Sequence, residues 1–375
     1  MTKEYEINRA RYAKMIEARR PIKAVFGKAE LDAVPIFENP VCYDLDELVE
    51  LERLHYRITY RGDVREHPEW VEEYVRTASA MKPIPDAPKP ILLWPEGKVP
   101  TLTEYTDNSE YLYNHNPDFA PYLHEMLVDE DVTPKGAVVI CGGGDHGWCT
   151  VADTFQTARD FHEMGYQCFL LYNRCNQNPW CEIDSGADAS RAVRYVRANA
   201  EKYRIRPDQV AFAGFSNGAI TGENCIRYFS GRQKMTDWYE DYQPDALDEM
   251  YGAPDAFLCV YGPRHAGTPF DYTDVVYPPT FYAVGREDFA LQNLYELLPQ
   301  QLAHGVEVEI HTFAGVPHGQ AGNPLVVGAV HYPNFQLWLP LADAFLQDQF
   351  NKKKEAGWQK PRRKAGLFCA GIGVI

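Results

Sequence analysis

Asp208-Gln209-Val210-Ala211-Phe212-Ala213-Gly214-Phe215-Ser216-Asn217-Gly218-Ala219-Ile220-Thr221 is the stretch that decides the fold. Its first half is a short apolar run that reads as a buried strand, and its second half reads as the start of a helix. Between them, Gly214-Phe215-Ser216-Asn217-Gly218 has the G-x-S-x-G form of a nucleophile elbow, a sharp turn that joins strand to helix. Such a turn strains the serine backbone and leaves no room for bulk beside it, hence a glycine on each side. The pentapeptide alone is a weak signal, because a strand–helix turn with packing glycines and a helix-capping serine reads the same way. A base, an acid and oxyanion donors in the right order are what make it a site.

Outward from the elbow, strands and helices alternate. Apolar runs at 137–141, 167–172, 210–214, 256–261, 280–284 and 306–311 read as strands, and 152–164, 188–203, 290–303 and 334–350 read as helices. This alternation predicts an α/β fold with a mainly parallel central sheet covered by helices on both faces. Sites in such sheets lie at the carboxyl ends of the strands. Residues 230–255, rich in Tyr, Asp and Pro, interrupt the alternation and read as an excursion over the sheet. Residues 1–90 read as a helical extension, a cap or an oligomer surface, with helices near 2–20, 44–58 and 67–82. Asp44 is placed to cap the second of these. A Pro-rich linker at 83–90 leads into the catalytic domain, 91–350, and 351–375 is a basic, then apolar, tail.

Composition narrows the function. The chain has 375 residues, 45% hydrophobic and 24% charged, which is the profile of a globular protein. A formal net charge of −16 argues against a nucleic-acid partner, since phosphate binding needs a basic face. No apolar run approaches the ~18 residues of a membrane span. The polar N-terminus lacks the apolar core of a secretion signal, so the expected location is cytoplasmic. Nine cysteines, an odd number without a C-x-x-C pair, fit buried free thiols, among them Cys141, Cys168 and Cys259. A bridge between Cys175 and Cys181 is the less favoured reading. No His/Cys cluster has zinc spacing, and no cofactor motif is present, so neither metal nor cofactor is expected.

A serine hydroxyl needs a base to take its proton and a carboxylate to orient that base. Asp288 lies just past the strand at 280–284, where that acid is needed, with Glu287 in reserve; Asp288 as the cap of the helix near 290 is the competing reading. Of the histidines after the serine, His265, His304, His311, His318 and His331, only His318 combines a strand-end position with turn residues, in Gly315-Val316-Pro317-His318-Gly319. Gly142-Gly143-Gly144 follows the strand at 137–141, where glycine backbone can approach a developing oxyanion. Gly143, Gly144 and the N–H of Asn217 are the candidate donors. The order Ser216, Asp288, His318 is the one found in hydrolases with this elbow.

With these residues in hand, the chain resembles α/β-hydrolase esterases of the acetyl xylan esterase and carbohydrate-esterase type, including feruloyl-esterase-like members. The resemblance spans roughly residues 91–350. It is carried by the strand and glycines of 136–144, the helix and strand of 158–174, the segments 242–250 and 253–261, and the approach to His318 at 305–311 with Pro317-His318-Gly319. It implies a serine carboxylesterase for short acyl or aromatic acyl esters, of sugars or plant conjugates, with Ser216 as nucleophile, His318 as base and Asp288 as acid. An acyltransferase on the same triad and a non-catalytic binding protein are the alternatives. Where such esterases usually carry a tyrosine, this chain has Asp145-His146-Gly147-Trp148, which makes Asp145, His146 and Trp148 candidate pocket residues. The partner expected is a small-molecule ester, with a homo-oligomer as a further possibility.

Overall fold

The computed structural model describes residues 42–60, 67–87, 89–101, 120–144, 149–150, 152–175, 181–264, 272–321 and 332–356, with four isolated positions near the N-terminus. Most of the helix expected over 2–20, the loop bearing Asp145, His146 and Trp148, the histidines His265 and His331, and the tail past 356 lie outside the described residues.

Eight strands form one sheet: β1 (Ile91–Leu92), β2 (Tyr122–Met126), β3 (Ala137–Cys141), β4 (Gln167–Tyr172), β5 (Val210–Phe215), β6 (Ala256–Val260), β7 (Thr280–Gly285) and β8 (Val308–Phe313). Their spatial order is β1-β2-β4-β3-β5-β6-β7-β8. The pairs β1/β2 and β2/β4 are antiparallel, and every pairing from β4 to β8 is parallel. Every residue of β3 to β7 is buried, as continuous apolar runs with cover on both faces require. The alternation of the pleat divides them between two cores. Val138, Ile140, Ala211, Ala213 and Phe215 face one, with Phe161, Trp338 and Phe345. Val139, Cys141, Phe212 and Cys259 face the other, with Val193, Val196, Cys225 and Ile226.

The helices are α1 (Leu45–Tyr60), α2 (Pro68–Ala80), α3 (Thr157–Glu163), α4 (Glu182–Ala198), α5 (Asn217–Phe229), α6 (Met235–Trp238), α7 (Leu291–Ala303) and α8 (Trp338–Ala356), and α3 to α8 supply that cover. As the sequence suggests, the Asp44 carboxylate accepts from the N–H groups of Asp46 and Glu47 at the start of α1. Arg57 of α1 pairs with Glu73 of α2. Within the excursion after 230, Asp245 and Asp248 bind Arg191, and Asp248 also binds Arg194, which fastens this segment to α4.

Two sequence expectations need correction. β1 and β2 escaped notice, because β1 has two residues and β2, Tyr-Leu-His-Glu-Met, mixes polar with apolar. Helix α4 runs over Glu182–Ala198 rather than 188–203. Its first turns carry Glu182, Asp184, Ser185 and Asp188, which look like loop residues, yet all four are buried. They are satisfied by partners distant in sequence: Arg174 binds Asp184 and Asp188, the Trp94 indole donates to Asp188 at 2.8 Å, and Arg264 binds Glu182. A helix end buried through ion pairs has no apolar stripe to read. The favoured reading of the cysteines holds for the eight described: none of them is in a disulfide, Cys175 and Cys181 included.

Glu223, in α5, is 3% exposed and accepts a 2.7 Å hydrogen bond from the Tyr277 hydroxyl. Burial raises its carboxyl from 4.5 to about 7, against smaller lowering by Tyr277 and Arg227. A carboxyl raised in the folded state resists ionisation there. The stability it contributes is therefore complete below its unfolded pKa and drains as pH rises through about 7. Between pH 5 and pH 8, Glu223→Gln is expected to remove a pH-dependent loss on the order of 3 kcal/mol. Urea unfolding of both proteins at the two pH values checks this; identical pH dependence would refute the assignment.

Candidate active site

The strand order reverses at β3, with β4 on one side of it and β5 on the other. A crevice opens at the carboxyl ends of strands at such a point. Register places Cys141, the last residue of β3, beside Gly214 in β5, so the glycine loop and the elbow leave the sheet side by side. Their approach is too close for side chains: a β-carbon on Gly218 would lie 2.2 Å from the Cys141 carbonyl oxygen, and one on Gly214 would lie 2.4 Å from the Ala219 Cα.

At the turn itself Ser216 has φ 53° and ψ −122°. A non-glycine residue held there costs on the order of 1–3 kcal/mol, and surrounding structure must enforce it. Here the Ser216 N–H donates to the Val260 carbonyl at 3.1 Å, while the Ser216 carbonyl accepts from Ala219 N–H at 3.0 Å as α5 begins. The hydroxyl projects from the end of the sheet.

The structure brings Ser216, His318 and Asp288 together. Ser216 Oγ lies 2.9 Å from His318 Nε2, and His318 Nδ1 lies 3.0 Å from both oxygens of Asp288. The Asp288 side chain is fully buried, whereas that of His318 is 26% exposed. Asp288 Oδ1 also accepts the Ala290 N–H at 2.7 Å. One carboxylate therefore serves both readings of this position, partner of the histidine and cap of the turn into α7. Glu287 is exposed, and its N–H donates to the Val316 carbonyl at 3.0 Å. With the 2.7 Å bond from Arg286 N–H to the Phe313 carbonyl, it ties the acid-bearing loop to the histidine-bearing loop.

Two aromatic rings hold the imidazole. Tyr261 meets it edge-on at 5.0 Å, and Phe289 lies across it at 4.5 Å with planes 30° apart. Behind it, Gln320 Nε2 donates to the His318 carbonyl at 3.0 Å. Sequence reasoning passed over these three residues, whose significance lies in their contacts with His318. The other described histidines that follow the serine lie elsewhere: His304 stacks on Tyr272, and His311 pairs with Glu309.

Asn217 is the first residue of α5, so its N–H is one of the donors an α-helix leaves unpaired at its start. Gly143 and Gly144 lead out of β3 beside it, Gly144 with φ 124° and the Gly143 carbonyl fixed by a 3.1 Å bond from Thr150 N–H. The arrangement puts a hydroxyl against an imidazole backed by a carboxylate, at the start of a helix and beside a glycine loop. That combination can activate a serine and stabilise an oxyanion.

Sheet order, elbow and flanking helices define the α/β-hydrolase fold, and the chain has it. No protein-family profile matches the chain. It is similar to an acetyl ester-xyloside bifunctional hydrolase from Caldicellulosiruptor lactoaceticus, with TM-score 0.54, 20% identity, and coverage of 69% of this chain and 96% of that one. It is also similar to Thermogutta terrifontis esterase 2 phosphonylated by cyclosarin, with TM-score 0.52, 16% identity, and coverage of 71% and 96%. In sequence, 169 residues are 28% identical to Endo-1,4-beta-xylanase B of Butyrivibrio fibrisolvens, which is 43% of this chain and 25% of that protein. The chain thus spans about a quarter of the length of the curated relative it matches.

Proposed function

We propose that the protein is a serine carboxylesterase that cleaves short acyl, acetyl-type or aromatic acyl esters of sugars or plant conjugates. The observation that carries this reading is the continuous hydrogen-bonded chain from Ser216 Oγ through His318 to Asp288. His318 Nε2 takes the serine proton as Oγ attacks the ester carbonyl, and Asp288 holds the imidazole with its Nδ1–H inward and stabilises the imidazolium. The N–H groups of Asn217 and of Gly143 or Gly144 receive the oxyanion. Collapse of this intermediate expels the alcohol, which takes its proton from His318. Water, activated by the same imidazole, then releases the acid and restores Ser216.

The sugar-ester preference draws support from the fold likeness to an acetyl ester-xyloside hydrolase and the partial likeness to a xylanase. The lack of a disulfide among the eight described cysteines is in keeping with a cytoplasmic location. Acid release from p-nitrophenyl acetate, acetylated xylosides and feruloyl esters tests the reading. Turnover well above the buffer rate is expected, with the acetylated sugar or feruloyl ester favoured over a simple alkyl ester. A protein inert toward the whole panel would end it.

A further inference from the structure

Phe289 is 76% exposed, more than any other large hydrophobic residue among those described. A single exposed apolar side chain is ordinary. The position of this one is not, because its ring lies 4.5 Å from that of His318, tilted by 30°. The backbone holds it there. Its neighbours Asp288 and Ala290 are 5% and 3% exposed, Asp288 N–H donates to the Gly285 carbonyl at 3.3 Å, and Leu291 N–H donates to the Asp288 carbonyl at 3.2 Å. With both flanking residues pinned inward, the turn presents Phe289 outward beside the imidazole.

Chemistry says which part of an ester passes this place. The imidazole must hand its proton to the departing alcohol oxygen, so that oxygen comes within hydrogen-bond reach of His318 Nε2. Whatever the alcohol carries beyond the oxygen then comes close to the imidazole, against which the exposed Phe289 ring lies. We propose that Phe289 is a specificity-determining residue, the platform for a flat-faced ring in the alcohol part of the substrate. This proposal rests on the serine-esterase reading. A sugar ring offering its C–H face and an aryl ring share the chemistry that an open aromatic face recognises. A small alkyl alcohol has no face to offer.

The experiment compares three esters with the same acetyl group: ethyl acetate, phenyl acetate and an acetylated methyl xyloside. Each is measured with the wild type, Phe289→Ala and Phe289→Tyr. In Phe289→Ala, kcat/KM for the ring-bearing ester relative to ethyl acetate is expected to fall roughly 3- to 10-fold, mostly through KM. Phe289→Tyr, which keeps the aromatic face, is expected to restore the ratio. Effects that reach the reaction only through His318 act on all three esters and cancel in it. The ester with the larger fall tells whether a sugar or an aryl ring is held. Equal losses on all three, or none on any, would overturn the assignment of Phe289 alone. A wild type inert toward all three would overturn the esterase reading and this one with it.

Discussion

Replacing Ser216 with alanine is expected to lower kcat for acetate esters by roughly 10⁴- to 10⁶-fold, with KM changed little. The size of the effect follows from what the hydroxyl does in the proposed mechanism. There Oγ forms the acyl-enzyme, and its proton passes to the imidazole 2.9 Å away. The proposed oxyanion donors are untouched by the change, so a residual rate above the uncatalysed one is expected. Folding should survive as well. The turn is held by backbone bonds from Ser216 N–H to Val260 and from Ala219 N–H to Ser216, which alanine keeps. Initial rates with p-nitrophenyl acetate, alongside a thermal melt, separate lost chemistry from lost structure. Equal turnover in variant and wild type would show that ester cleavage does not pass through this serine.

Asp288→Asn is the second large effect, a fall in kcat of roughly 10³- to 10⁴-fold. The carboxylate stands 3.0 Å from His318 Nδ1 through both oxygens, with its side chain fully buried. Asparagine fills the same space, and its carbonyl oxygen can go on accepting the Ala290 N–H. Its NH₂ then faces Nδ1. A donor at that point favours the tautomer with its proton on Nε2, which cannot accept the proton of Ser216. The negative charge that stabilises the imidazolium is gone too. Glu287→Gln is the control: the same chemical change at the adjacent but exposed carboxylate is expected to leave kcat within about twofold. Comparable losses in the two variants would mean that the effect comes from the loop's charge or folding rather than from the His318 partnership.

The parts of the fold legible in the sequence are those where one periodicity governs a whole element. β3 to β7 are buried throughout because helices cover both faces, and apart from Gln167 and Thr280 at two strand starts they are apolar runs that announce themselves. The edge of the sheet obeys a weaker rule. His124 in β2 is 2% exposed, and burial depresses its imidazole to about 4, so it sits in the sheet as a neutral ring that a polarity scale counts as surface. The start of α4 fails for a related reason. Asp184 and Asp188 are polar residues made core residues by Arg174, and Arg174 belongs to a different segment.

At the site, Ser216, Asp288 and His318 stood out because each follows a strand, and strand ends in a parallel sheet converge by topology. Tyr261 and Phe289 escaped because their significance is a contact with His318, which no spacing along the chain reveals. The strain at Ser216, by contrast, was foreshadowed by its two glycine neighbours, and the close approaches of Gly214 and Gly218 give the reason.

Covalent capture tests the central claim most directly. A fluorophosphonate reacts with a serine whose proton a neighbouring base removes, and leaves a stable adduct on the oxygen that attacked. Digestion and peptide mass analysis then locate the adduct. The expected result is one phosphonyl group per chain on the peptide that contains Ser216, formed in step with loss of ester hydrolysis and absent from Ser216→Ala and His318→Ala. Labelling of some other residue, or full hydrolysis by a chain already phosphonylated at Ser216, would contradict the account.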